Sequence, residues 1–84
     1  MYFIANRDWK LIYAKTSIIL LNLRLNKIVE VNGIQSQVLD FLYRGNNFNV
    51  IKKYGEARKV KKIINKYKIG VFSSDPIDND IEVY

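Results

Sequence analysis

Leu21-Asn22-Leu23-Arg24-Leu25-Asn26-Lys27-Ile28-Val29-Glu30-Val31-Asn32-Gly33-Ile34-Gln35 is the stretch in which the chain changes its hydrophobic period. Leu21, Leu23 and Leu25 alternate with Asn22, Arg24 and Asn26, the repeat of a strand with one wet face. Arg24-Leu25-Asn26-Lys27 reads as a turn, because asparagine tolerates left-handed backbone. Ile28, Val29, Glu30 and Val31 then form the returning strand of a β-hairpin. At Asn32 the repeat lengthens. Asn32 is placed as a helix N-cap, and Gln35 follows at capping-box spacing. Ile34, Val38, Phe41 and Leu42 make the apolar stripe of an amphipathic helix.

Working outward, Tyr2-Phe3-Ile4, residues 9–13 and residues 16–21 are rich in aromatic, β-branched and leucine side chains, which favour strands. On the other side, Arg44 suits the negative end of the first helix and Gly45 ends it. Residues 48–54 carry Val50, Ile51 and Tyr54 at helical spacing, enough for a short second helix closed by Gly55. Residues 56–68 are the clearest element: Ala57, Val60, Ile63, Ile64 and Tyr67 face inward and bases fill the outer face. Ile69-Gly70-Val71-Phe72 is a short strand, Ser73-Ser74-Asp75-Pro76 a turn, and residues 81–84 an edge strand returning beside it. The order predicts one domain over residues 1–84, of the α+β class. An N-terminal three-stranded antiparallel β-sheet is followed by a three-helix winged-helix-like bundle, with an acidic tail at 73–84.

Composition narrows the function. The chain has no cysteine and no histidine, which removes disulfides, thiol chemistry, the usual zinc ligands and histidine acid–base catalysis. Asp75, Asp78, Asp80 and Glu82 crowd the C-terminal end, leaving few acids elsewhere for a paired-carboxylate site. The expectation is a non-catalytic protein with no metal and no cofactor. Arg7, Asp8 and Lys10 interrupt the N-terminal apolar residues before an export signal could form. Residues 18–21 are too short an apolar run to cross a bilayer, so no membrane role and a cytoplasmic location are expected.

The net charge of +6 is unevenly spread. Residues 52–68 hold eight bases against Glu56, a net +7, whereas residues 73–84 hold four acids and no base, a net −4. A basic helix beside an acidic tail points to an anionic partner, or to a tail that screens the patch until a partner competes for it.

Residues 18–70 resemble the PqqD-like peptide-binding domains, the recognition elements for ribosomally made and post-translationally modified peptides. The features that carry the resemblance are Val31-Asn32, where the family has Leu-Asn opening its first helix, and the Ile34, Val38 and Leu42 stripe. Arg44-Gly45 matches the small loop that follows, and Lys68-Ile69-Gly70-Val71-Phe72 the closing segment. The resemblance implies that the leader of a precursor peptide adds as a strand to the edge of the third strand and packs against the third helix. The domain would then present it to a separate modifying enzyme or leader peptidase. Carried onto this chain, the strand is Ile28, Val29, Glu30 and Val31, and the cleft partner is the basic helix. Arg58, Lys61, Lys62 and Asn65, which share one side of its apolar stripe, are the candidate wall of the cleft. A Val29→Pro exchange is expected to remove an edge donor there.

A DNA-binding protein is the alternative, since a Lys/Arg-rich third helix also suits duplex DNA. Its bases are mostly lysine, however, with Arg58 the lone guanidinium, and arginine and the amides are the usual readers of base edges. Trp9, Tyr13, Tyr43, Tyr54 and Tyr67 could serve as a stacking platform for single strands, but their spacing suits core and half-buried positions better.

Overall fold

The hairpin forms with its turn at residues 23–26, one residue earlier than the sequence places it, and the computed structural model describes residues 1–75 around it. In chain order the elements are β1 (Tyr2–Ala5), β2 (Lys10–Tyr13), β3 (Ser17–Asn22), β4 (Lys27–Asn32), α1 (Gly33–Tyr43), a 3-10 turn (Phe48–Val50), α2 (Gly55–Tyr67) and β5 (Gly70–Ser73). Asn26 supplies the left-handed residue of the β3–β4 turn, at φ 53°. The buried Asn22 side chain accepts the Leu25 N–H at 3.0 Å and closes it. Leu23 and Leu25, which continue the alternation in sequence, therefore fall in the turn and stand exposed.

The strands make two antiparallel sheets, β2-β3-β4 and β1-β5. Leu11, Ile18, Leu20 and Val31 on the inner face of the larger sheet join Leu39, Leu42, Tyr43, Ala57, Val60 and Ile64 of the helices. The smaller sheet closes the same core from the other side through Phe3, whose ring lies 4.9 Å from that of Tyr43 and 5.9 Å from that of Phe72. Tilted aromatic contacts of this kind add to the burial of apolar area, which drives the assembly.

The α+β class holds, but the expected arrangement of a three-helix winged-helix-like bundle behind a single sheet does not. There are two α-helices and two sheets among the described residues. The second helix contracts to one 3-10 turn because asparagine side chains compete for the backbone there. Asn47 Oδ1 accepts the N–H of Asn49 at 2.9 Å, and the Phe48 N–H is taken by the Met1 carbonyl at 2.7 Å. Successive bonds from Val50, Ile51 and Tyr54 each reach back three residues, so the chain turns tightly instead of winding into α-helix. The strand after α2 pairs with β1, and the edge strand expected at residues 81–84 lies outside the described residues.

The first helix also differs in azimuth. Its buried residues are Ser36, Leu39, Leu42 and Tyr43, whereas Ile34 is 63% exposed and Val38 and Phe41 are only partly buried. The sequence carries two overlapping apolar stripes, and Gly33, in left-handed backbone at φ 56°, sets which one enters the core as β4 runs into α1. Asn32 occupies the N-cap but makes no side-chain cap bond, and Gln35 is engaged elsewhere. In α2 the expected inner face is observed: Ala57, Val60 and Ile64 are buried, with Ile63 and Tyr67 packed at its margin. Lys68 ends the helix in left-handed geometry at φ 57°, and Ile69 donates back to Ile64 at 3.0 Å.

Candidate functional site

β4 is an edge of the larger sheet, paired with β3 on one side. The direction of its backbone groups follows from the ladder. Gly33 donates to the Thr16 carbonyl at 3.0 Å, and the register pairs Val31 with Ile18 and Val29 with Leu20. Hydrogen-bonded pairs recur at every second residue of an antiparallel ladder, so Val31 and Val29 turn their N–H and C=O groups inward to β3. Ile28 and Glu30 turn theirs outward. On the far side of β3 the Ala14 N–H bonds the Ser17 carbonyl at 2.9 Å, which fixes the same alternation. No described strand meets the Ile28 and Glu30 groups.

Side chains on this strand sort by the same parity. Val31 is buried and Val29 packs against the core, while Ile28 is 70% exposed and Glu30 lies in solvent. The other edge of the sheet, β2, is tied at its end. Tyr13 donates its hydroxyl to Asp40 Oδ1 of α1 at 2.7 Å, and Asp40 also pairs with Arg44 at 3.3 Å. Burial first, and then the Asp40 hydrogen bond and charge, push the Tyr13 phenol up to about 12.

The candidate residues of the basic helix gather at a cavity of their own. Arg58, Lys61, Lys62 and Asn65 line one cavity of about 620 Å³, together with Met1, Phe48, Asn49 and Lys52. Ile28, Val29, Glu30 and Val31 are not among its lining residues. Glu56, on the opposite flank of α2, is the one that reaches toward the hairpin side, accepting from Gln35 Nε2 at 2.9 Å in the first turn of α1. That bond, and then one from Lys59, hold the Glu56 carboxyl below the usual range. The structure thus gathers four of the sequence-predicted residues around Phe48 and sets the other four on a separate strand. Phe48, Asn49, Lys52 and Met1 were not singled out in the sequence. Phe48 and Asn49 were signalled only by the short apolar-asparagine segment, which reads locally as a second helix, and Lys52 only as a member of the basic stretch.

Each cation of the cavity has a distinct setting. Arg58 donates from Nη1 to the Lys53 carbonyl at 2.8 Å and the Lys52 carbonyl at 3.4 Å, so it clips the loop that enters α2. The Lys61 ammonium sits 5.3 Å from the ring centres of both Phe48 and Phe72. Lys52 and Lys62 stand exposed at the mouth. Among the described residues the basic helix has one ion pair, Lys59 with Glu56 at 3.2 Å, and it lies on the other flank. Trp9 and Tyr43 are buried, Tyr67 is half-buried, and Tyr13 and Tyr54 are exposed on separate elements, so the aromatic residues do not form a stacking surface.

Among the described residues no group of three or more His, Cys, Asp or Glu could hold a metal ion. No helix there is long and apolar enough to cross a membrane. Comparison with protein-family models, with curated proteins and with solved structures finds no match to this chain.

Proposed function

We propose that this chain is a non-catalytic binding module that captures the leader of a ribosomally made precursor peptide by strand addition and presents it to a separate modifying enzyme or leader peptidase. The observation that carries the reading is the edge of β4, which no described strand meets and where Ile28 and Glu30 direct their N–H and C=O groups away from the sheet. An extended peptide laid along that edge satisfies those groups, each bond contributing about 1 kcal/mol net. Its alternate side chains would find register against Val29 and Val31 on one face and Ile28 and Glu30 on the other. The resemblance of residues 18–70 to PqqD-like domains supplies the class of peptide. The edge of β2 is the poorer acceptor, being shorter and tied to α1 through Tyr13 and Asp40.

The test is a fluorescence titration with the synthetic leader of a short peptide encoded beside this gene, run in parallel with duplex DNA. Leader binding at micromolar or tighter affinity, persisting at about 0.3 M salt where exposed charges are strongly screened, is the expected result. Binding to DNA alone, with affinity falling steeply as salt rises, overturns it in favour of the nucleic-acid alternative. Glu30→Pro supplies the residue-level check, because it deletes an outward N–H and leaves the β3–β4 bonds in place.

A further inference from the structure

The cavity on the far flank of α2 has features that strand addition at β4 does not use. Its floor is the buried Phe48 ring, and its walls carry Lys52, Arg58, Lys61 and Lys62 with the amides of Asn49 and Asn65. None of those four cations has a carboxylate partner among the described residues. Lys61 is held against Phe48 and Phe72, so its charge is fixed at the rim instead of sweeping through solvent. An apolar floor ringed by cations that no described carboxylate pairs fits an acidic segment that carries one large apolar side chain. Side-chain methylenes and the ring receive the apolar group, and the ammonium groups receive the flanking carboxylates.

We infer that this cavity is a second docking site, which takes an acidic, apolar-tipped segment of the enzyme to which the leader is presented. The identity of that partner rests on the peptide-capture reading; the chemistry of the site rests on the cavity alone. Two observations favour a protein segment over a nucleic-acid backbone. The site is a concavity of about 620 Å³, large enough for one or two side chains. The phosphates of a duplex lie on a convex rod that meets open surfaces, not pockets with an aromatic floor. Separation is the second point. Residues of β4 do not line the cavity, and Glu56 and Gln35 join α2 to α1 on the opposite flank, so leader and enzyme would occupy the module together. A presenting module needs that arrangement.

The probe is a fluorescein-labelled synthetic peptide with a central phenylalanine flanked on both sides by glutamate and aspartate, titrated against the full chain by anisotropy. Its phenylalanine-to-serine counterpart and a lysine-flanked counterpart serve as controls. The acidic phenylalanine peptide should bind, and both controls should be weaker by about tenfold. K61E/K62E should lower probe affinity by about tenfold or more while leaving the leader titration unchanged. Because Lys61 packs on two rings, K52E/K62E, made at two exposed positions, repeats the test without disturbing them. Equal binding of all three peptides, indifference to both charge reversals, or competition between probe and leader overturns the second site. So does a loss of duplex DNA binding in K52E/K62E with the probe unaffected. Loss of leader binding in Glu30→Pro with probe binding intact leaves the cavity standing; leader binding that ignores Glu30→Pro, also with the probe intact, removes only the strand-addition reading.

Discussion

The two sheets of this molecule are built from similar residues and end in opposite conditions. β1 and β5 come from distant parts of the chain; their inner face is packed, and β1 is also tied at the start of its outer edge. Phe3 is wholly buried between Tyr43 and Phe72, Tyr2 bridges to Asn47, and the Phe48 N–H bonds the Met1 carbonyl. β4, in the larger sheet, is equally regular but among the described strands is bonded on one side, with an exposed isoleucine and glutamate. No described strand meets the outward groups of Ile28 and Glu30, and exposed edges are a hazard that proteins usually cover or interrupt. On the proposed reading the difference separates scaffold from working surface: the small sheet completes the core, and the large one offers backbone.

The sharpest way to break that contrast is at Gly70. A Cβ there would land on the Ile4 carbonyl oxygen and the Phe3 ring, because β5 runs flush against β1. Neither a backbone carbonyl nor a packed ring can step aside cheaply. Gly70→Ala is expected to lower stability by about 3 kcal/mol, at the upper end of overpacking costs. In a domain of this size that moves Tm by on the order of 15 °C. A thermal melt followed by far-UV circular dichroism checks it, and a shift of a degree or two would mean that the smaller sheet is not tightly closed.

The closed sheet is also the part that the sequence conceals. Tyr2-Phe3-Ile4 and Ile69-Gly70-Val71-Phe72 are both legible as strands, yet nothing local states that they pair with each other. Local reading reaches only as far as the nearer segment, residues 81–84, which lies outside the described residues. By contrast the hairpin, the left-handed Asn26 and the inner face of α2 are visible in short windows, since turn chemistry and period are local properties. The first helix shows the intermediate case. Its existence is written in the sequence, but Ile34-Val38-Phe41 and Leu39-Leu42-Tyr43 are both plausible stripes, and the choice is made by how β4 enters through Gly33. For the candidate site, an edge role for β4 was implied only by the family resemblance, whereas the cations of α2 were readable. Which flank of α2 faces which neighbour was not, because that depends on the loop collapsing to a 3-10 turn around Phe48.

The open sheet offers a finer test, from two adjacent residues. The register overturns the expectation that Val29→Pro removes an edge donor: the Val29 N–H points inward to Leu20, and the outward donor is that of Glu30. Val29→Pro therefore breaks the ladder and is expected to cost about 2 kcal/mol, the penalty of a lost bond and an orphaned carbonyl. Glu30→Pro should cost less than about 1 kcal/mol, because proline is tolerated where the missing N–H faced solvent. Leader affinity should respond in the reverse order, falling in Glu30→Pro while the protein stays folded. Denaturant titrations paired with leader binding measure both. Equal destabilisation by the two prolines would contradict the register that leaves this edge free.

The smallest expected effect concerns β2, the edge that is tied rather than open. The Tyr13 hydroxyl, given to Asp40, titrates at about 12 in the folded protein, above the ordinary value of 10. A raised pKa means that folding favours the neutral phenol. The stability from this contact is therefore complete below pH 10 and drains away as pH climbs through about 12. Tyr13 is substantially exposed, so solvent screening keeps the contribution modest. Urea unfolding at intervals from neutral pH into that alkaline window should show the natural chain losing stability more steeply than Tyr13→Phe. A residual slope remains from Tyr43, whose buried phenol is pushed up chiefly by burial. Parallel curves for the two proteins would mean that the Tyr13–Asp40 contact does not hold β2 to α1. The preference for β4 as the receiving edge would then rest on its length alone.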